Sequence, residues 1–108
     1  MLIADIQPGP EVARIILAGE LDLATERDVR QAISQVTAAP RVEVDLGKLE
    51  YCDSTGVNLF VRAYLEAQAT GRSFHLVNAH GLVAKVLDVC GVLTALDGSA
   101  ESPATAGP

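Results

Sequence analysis

Tryptophan is absent, methionine occurs once, and aromatic residues make up 4% of the 108-residue chain. Little material is therefore available to line a deep small-molecule pocket, which is built mainly from apolar and aromatic side chains. Basic residues are scarce as well: 8 Lys and Arg stand against 14 Asp and Glu, a formal charge of −6, and no Lys/Arg run occurs. The electrostatic footprint on which nucleic-acid binding depends is missing, so DNA and RNA are poor partners. Anionic membrane surfaces are disfavoured for the same reason. No apolar run reaches the roughly 20 residues that span a bilayer, because Arg14, Asp22, Arg62 and Lys85 interrupt the longest stretches. The start, MLIADIQPGP, has no basic n-region and meets Asp5 before an apolar h-region can form, so it does not read as a signal peptide and a cytoplasmic location is expected. Cys52 and Cys90 show neither CxxC nor Cys/His spacing; both are expected to be small buried hydrophobes, with no metal site.

What is present suits one α/β domain. Hydrophobic residues make up 49% of the chain, and a chain this long buries roughly 65% of its unfolded surface without disulfide or metal staples. Leu2 to Gln7 and Val12 to Ala18 are β-prone runs separated by Pro8, Gly9 and Pro10, which predicts two neighbouring strands. Thr25 and Asp28 form a partial capping box, and Val29, Ala32, Ile33 and Val36 follow as one helical stripe, leaving Arg27, Arg30, Gln31 and Ser34 to water. Beyond Pro40 the period switches to two: Val42, Val44 and Leu46 alternate with Glu43 and Asp45 in a strand that leads into Gly47. A second helix is expected from Ser54 to Ala69 on the stripe Val57, Phe60, Val61 and Tyr64, with Gly71 as its stop. Ser73 to Val77 reads as a strand, and Val83, Val86, Leu87 and Cys90 as the stripe of a third helix. A last strand is expected at Thr94 to Asp97, closing a domain of residues 1–97 ahead of a flexible tail at 98–108. The order ββαβαβα implies a mixed sheet with helices packed on it and a rim where strands end and helices begin. Ligands and partners of such sheets meet that rim.

Catalytic signatures are absent. No Gly-x-Ser-x-Gly, His-Glu-x-x-His, Gly-x-Gly-x-x-Gly or P-loop occurs, which removes the common hydrolase, zinc-protease, dinucleotide and NTPase readings. His75 and His80 sit on a strand and its following turn and do not suggest a ligand pair; no cofactor is expected. The informative stretch is Asp53-Ser54-Thr55-Gly56-Val57, at the entry of the second helix. Unpaired backbone N–H groups and the positive end of the helix dipole favour a carboxylate, a capping hydroxyl or a phosphate there. Ordinary N-capping by Asp53 or Ser54 is one reading, and a modification site is the other.

The segments Gly19 to Thr25 (GELDLAT), Val42 to Phe60 (VEVDLGKLEYCDSTGVNLF) and Val77 to Val92 (VNAHGLVAKVLDVCGV), in this order and spacing, resemble the STAS domain of anti-anti-sigma factors. The resemblance implies a STAS-like mixed sheet in a single domain, no enzymatic activity, and Ser54 as the residue phosphorylated by a partner anti-sigma factor that is also a serine kinase. The unmodified form would bind that partner and free the sigma factor, with a phosphatase to reverse the mark. Two departures stand out: Thr55 replaces the Ser of many relatives and is a rival acceptor, and Asn58 occupies a position where small residues are frequent. The expected partner surface comprises Glu20, Leu21, Asp22, Thr25, Asp53, Ser54, Thr55, Gly56, Val57, Asn58 and Arg62, bordered by Asn78 to Gly81. Gly56 is expected to give a close-approaching kinase room, and the helix amides to hold the product phosphate. Two alternatives are carried. One is a scaffold that assembles with similar domains or as a weak homodimer; the other is a small hydrolase built on Ser54, His80 and Asp22 or Asp53.

Overall fold

The structure, a computed structural model, describes residues 1–91. Strands β1 (Leu2–Gln7) and β2 (Val12–Leu21) form an antiparallel hairpin in which Leu2 faces Gly19 and Gln7 faces Arg14. Helix α1 (Glu26–Ser34) then crosses to β3 (Arg41–Cys52), and α2 (Ser54–Ala69) crosses to β4 (Ser73–Val77), both strands running parallel to their neighbours. Helix α3 (Gly81–Val89) follows. The sheet order is β1-β2-β3-β4, a mixed sheet with a parallel majority, as the element order implies. The expected strand at Thr94 to Asp97 and the tail at 98–108 lie outside the described residues.

Alternation decides which face of the sheet is apolar. Ala13 and Ile15 of β2 lie level with Val42 and Val44 of β3 and with Phe74 and Leu76 of β4, and all six are buried. Ala4 and Ile6 join this face from β1, opposite Leu17 and Ile15. Helix α1 packs on β1 and β2, while α2 packs on β3, β4 and α1. Because α2 is covered on two sides, Leu59 is buried beside Val57 and Phe60, an addition to the stripe read from the sequence. The opposite face carries charge: Arg14 pairs with Glu43 at 2.9 Å and Asp45 at 3.3 Å, and Arg41 pairs with Glu43 at 2.9 Å. The Arg41 hydrogen bond, aided by Arg14, holds the Glu43 carboxyl below its ordinary value despite the opposing effect of burial.

Helix α2 ends as expected at Gly71. Its φ of +75° lets Gly71 N–H donate to Gln68 and Arg72 N–H donate to Ala67, the paired bonds of a Schellman motif. The cysteine expectation holds for one residue only. Cys52 is buried, whereas Cys90 is exposed, because α3 stops at Val89 and the inward stripe is completed by Val83 and Leu87.

Two strands run further than their sequence patterns indicate. β2 continues past Ala18 to Leu21, and β3 runs through Gly47 to Cys52, with register shifts between Ile16 and Ala18 and between Gly19 and Glu20. Irregular pairing of this kind hides the period of two that sequence reading relies on. The extension sets Leu21 directly opposite Cys52, so two strand-to-helix turns leave the sheet side by side.

Candidate functional site

The first of these turns follows β2 and closes on itself. Asp22 Oδ1 accepts from the N–H groups of Ala24 (3.0 Å) and Thr25 (3.2 Å), an Asx-type turn. The Thr25 hydroxyl donates to Glu20 O at 2.8 Å and accepts from Asp22 N–H at 3.1 Å. Thr25 stands at the N-cap position of α1, as expected, but makes no side-chain cap: the hydroxyl is already committed backwards, into the turn. Glu20 is exposed and reaches the N-terminal ammonium at 3.6 Å.

The second turn leaves β3 and opens α2. Asp53 N–H donates to Leu21 O at 3.3 Å, stitching this turn to the end of β2. The Asp53 carboxylate then caps the helix, accepting from Thr55 N–H at 2.9 Å and Gly56 N–H at 3.4 Å. Val57 N–H donates to Asp53 O in the first helical bond. Of the four N–H groups a helix start leaves open, only that of Ser54 is without a partner among the described residues. The amides expected to receive a phosphate are therefore held by Asp53. Ser54 itself is exposed, and its hydroxyl makes no hydrogen bond among the described residues.

Burial corrects three of the expected surface residues. Leu21 is 0% exposed and Val57 6%, and Gly56 is buried with them. A Cβ on Gly56 would lie 2.6 Å from Cys52 Sγ and 2.8 Å from Leu21 Cδ2. Gly56 thus makes room for the chain's own core and not for an incoming kinase. These residues shape the surface from beneath. Cys52, packed against this glycine position, donates weakly to Asp53 O, and burial, followed by the nearby Asp53 charge, pushes its thiol up to about 12.

Asn58 and Arg62 are exposed, and together with Thr55 they line a shallow hollow of about 240 Å³ beside the Asp53 turn. The hollow also includes Leu23, Glu26 and Leu59, none of which the sequence reading placed at the surface site. Leu23 carried a signal: it is an apolar residue in a turn, outside every helical or strand stripe. Asn78 to Gly81 is anchored on β3 through His80 Nε2, 2.8 Å from Gly47 O. With His80 held there and the Asp53 carboxylate capping α2, no Ser–His–Asp hydrogen-bond relay forms among the described residues. Among the described residues no cluster of His, Cys, Asp and Glu is fit to hold a metal, and no helix is long and apolar enough to cross a membrane.

The model of a STAS domain family described as Mlab matches residues 5–97. This chain belongs to the STAS domain family. Its structure is similar to that of the anti-sigma factor antagonist SpoIIAA in its unphosphorylated form, at 27% identity and a TM-score of 0.72, over 84% of this chain and 83% of that one. An anti-sigma factor antagonist from Mycobacterium paratuberculosis shares the fold at a TM-score of 0.80 and 22% identity, covering 98% of this chain and 93% of its own. The Bacillus cell fate determinant SpoIIAA in its phosphorylated form shares it at 0.70 and 24%, over 98% and 100%. No curated protein sequence matches the chain significantly.

Proposed function

We propose that this protein is a cytoplasmic anti-sigma factor antagonist switched by phosphorylation of Ser54. Its unmodified form binds an anti-sigma factor with serine kinase activity and frees the sigma factor; the phosphorylated form does not bind, and a phosphatase restores it. The observation that carries this reading is the division of labour at the start of α2. Asp53 caps the helix, so Ser54 has no structural task and its hydroxyl faces solvent. The similarity to SpoIIAA, a protein with phosphorylated and unphosphorylated forms, supports it. The chain acts as substrate and adaptor: the kinase transfers the γ-phosphoryl group of ATP to Ser54 Oγ, ADP leaves, and the hydroxyl proton passes to the kinase's base.

The switch follows from charge. A phosphoserine adds about −1.5 to −2 charges at neutral pH, here beside Asp53 and on a chain already at −6. Two of the nearest amides are occupied by Asp53, so the new charge stays in water while the protein is free and the fold is retained. At an interface that charge must be desolvated, which costs on the order of several kcal/mol without a partner. Mapping the phosphopeptide after incubation with the purified kinase and ATP tests the assignment. Phosphate is expected on Ser54 and none on a Ser54→Ala chain; phosphate on Thr55 alone would overturn it.

A further inference from the structure

The edge of the sheet at β1 is open: β2 lies on one side of this strand, and among the described residues no strand lies on the other. Which of its backbone groups face outward follows from the register. Glu20 N–H donates to Met1 O at 3.0 Å, and the β1–β2 pairing continues without a shift from Leu2 opposite Gly19 to Gln7 opposite Arg14. In an antiparallel pair alternate residues exchange both bonds with the neighbour, so Met1, Ile3, Asp5 and Gln7 are committed to β2. Leu2, Ala4 and Ile6 therefore turn their N–H and C=O groups to the free edge. Their side chains lie on the helix-covered face and are only half-buried, whereas Ile3, on the other face, is 57% exposed.

An open edge strand is a template for another strand, and proteins usually blunt it with charge, proline or a bulge. β1 has no bulge and no proline, and its one charge is Asp5. Pro8 is the next residue of outward parity and has no N–H to offer, which limits an added strand to Leu2 through Ile6. Within that limit β1 is complementary to itself. Antiparallel pairing centred on Ala4 sets Ala4 opposite Ala4 of a second copy and Leu2 opposite Ile6 twice, so every outward group bonds and the half-buried side chains meet across the two-fold axis. The same register places Ile3 against Asp5 of the second copy and keeps the two carboxylates from facing each other directly. We propose that the protein forms a homodimer by antiparallel pairing of β1 with β1 of a second copy, an isologous contact that joins two four-stranded sheets into one. The Ser54 turn leaves the sheet at the end of β3, two strands from this edge, so the dimer presents two such turns.

Analytical ultracentrifugation over a concentration series tests this on wild type, Ile3→Asp, Ile3→Lys, Ala4→Pro and Leu65→Ala, with circular dichroism on each. Ile3→Asp sets like charges opposite each other twice by symmetry and is expected to raise the dimer Kd at least about tenfold. Ile3→Lys sets an ammonium against each Asp5 carboxylate and lowers Kd. Ala4→Pro removes an outward N–H while leaving the bonds to β2 in place, and is expected to abolish the dimer. Leu65 is exposed on α2, away from this edge, and Leu65→Ala leaves Kd unchanged. A wild-type chain that stays monomeric throughout overturns the proposal, as does a dimer that both Ile3 variants leave at the wild-type Kd. Should Ala4→Pro fail to fold, the two Ile3 variants decide alone, because that side chain stands on the exposed face of the strand. Failure of the dimer leaves the phosphorylation reading untouched, since no kinase enters the measurement.

Discussion

The two turns at the rim are built from the same residue types and use them in opposite ways. In each, an aspartate follows the end of a strand and collects backbone N–H groups from the residues after it, Ala24 and Thr25 in one turn and Thr55 and Gly56 in the other. The Thr25 hydroxyl is drawn inward and bonded twice to the turn, to Glu20 and Asp22, while the Ser54 hydroxyl is left in water. The difference comes from where the aspartate stands. Asp53 is itself the cap of α2 and places a serine at the first helical position, pointing out; Asp22 lies three residues before the cap of α1 and leaves Thr25 to tie the loop together. A hydroxyl at a helix start is thus structural or available according to whether a neighbouring carboxylate has already satisfied the amides.

The largest stability effect expected from a single change lies beneath the second turn. Gly56→Ala forces a methyl group against Cys52 and Leu21, an overpacking that costs about 1–3 kcal/mol, with roughly 4–8 °C lost from the melting temperature for each kcal/mol. Adding Cys52→Ala removes the nearer obstruction and restores part of the loss. Full stability in the Gly56→Ala chain would show that the two turns do not differ in how tightly they are seated. Removing the second cap comes next: Asp53→Ala is expected to cost about 1 kcal/mol in a urea melt.

The hydroxyl comparison is sharper although its effect is smaller. Thr25→Ala breaks both bonds of its hydroxyl and is expected to cost about 1 kcal/mol, while Ser54→Ala stays within about 0.5 kcal/mol of wild type. Equal losses in paired urea melts would contradict the division between a tied and a free hydroxyl.

The smallest effect concerns the sheet face away from the helices. Glu43 has a folded value below the unfolded 4.5, so its contribution is present above that pH and disappears as pH falls through the folded value. The stability gap between wild type and Glu43→Gln should therefore shrink on acidification from pH 7 to below 4.5. A gap that grows would reverse the assigned direction.

Much of this was legible in the sequence, for physical reasons that differ by region. Helix α2 was read to the residue because Asp53 and Gly71 both mark its ends chemically, and the stripe between them has one period. The turn that opens α2 was visible as Asp-Ser-Thr-Gly. What the sequence could not reveal was which hydroxyl the backbone would claim, since Thr25 and Ser54 both stand where a cap is plausible. Nor did it show that Leu21 and Gly56 point inward, because that depends on β2 and β3 running on past their irregularities until Leu21 meets Cys52. Cys90 was misplaced by a helical period extended one residue beyond the end of α3.

The central claim is that a solvent-facing Ser54 carries the switch while the fold stays indifferent to it. The affinity of the purified anti-sigma kinase for unmodified and phosphorylated protein, measured with circular dichroism on both forms, tests it most directly. The phosphorylated form should bind at least about 100-fold more weakly, a difference of roughly 2.8 kcal/mol at about 1.4 kcal/mol per tenfold, with an unchanged spectrum. Equal affinity for the two forms, or loss of the folded spectrum on phosphorylation, would contradict it.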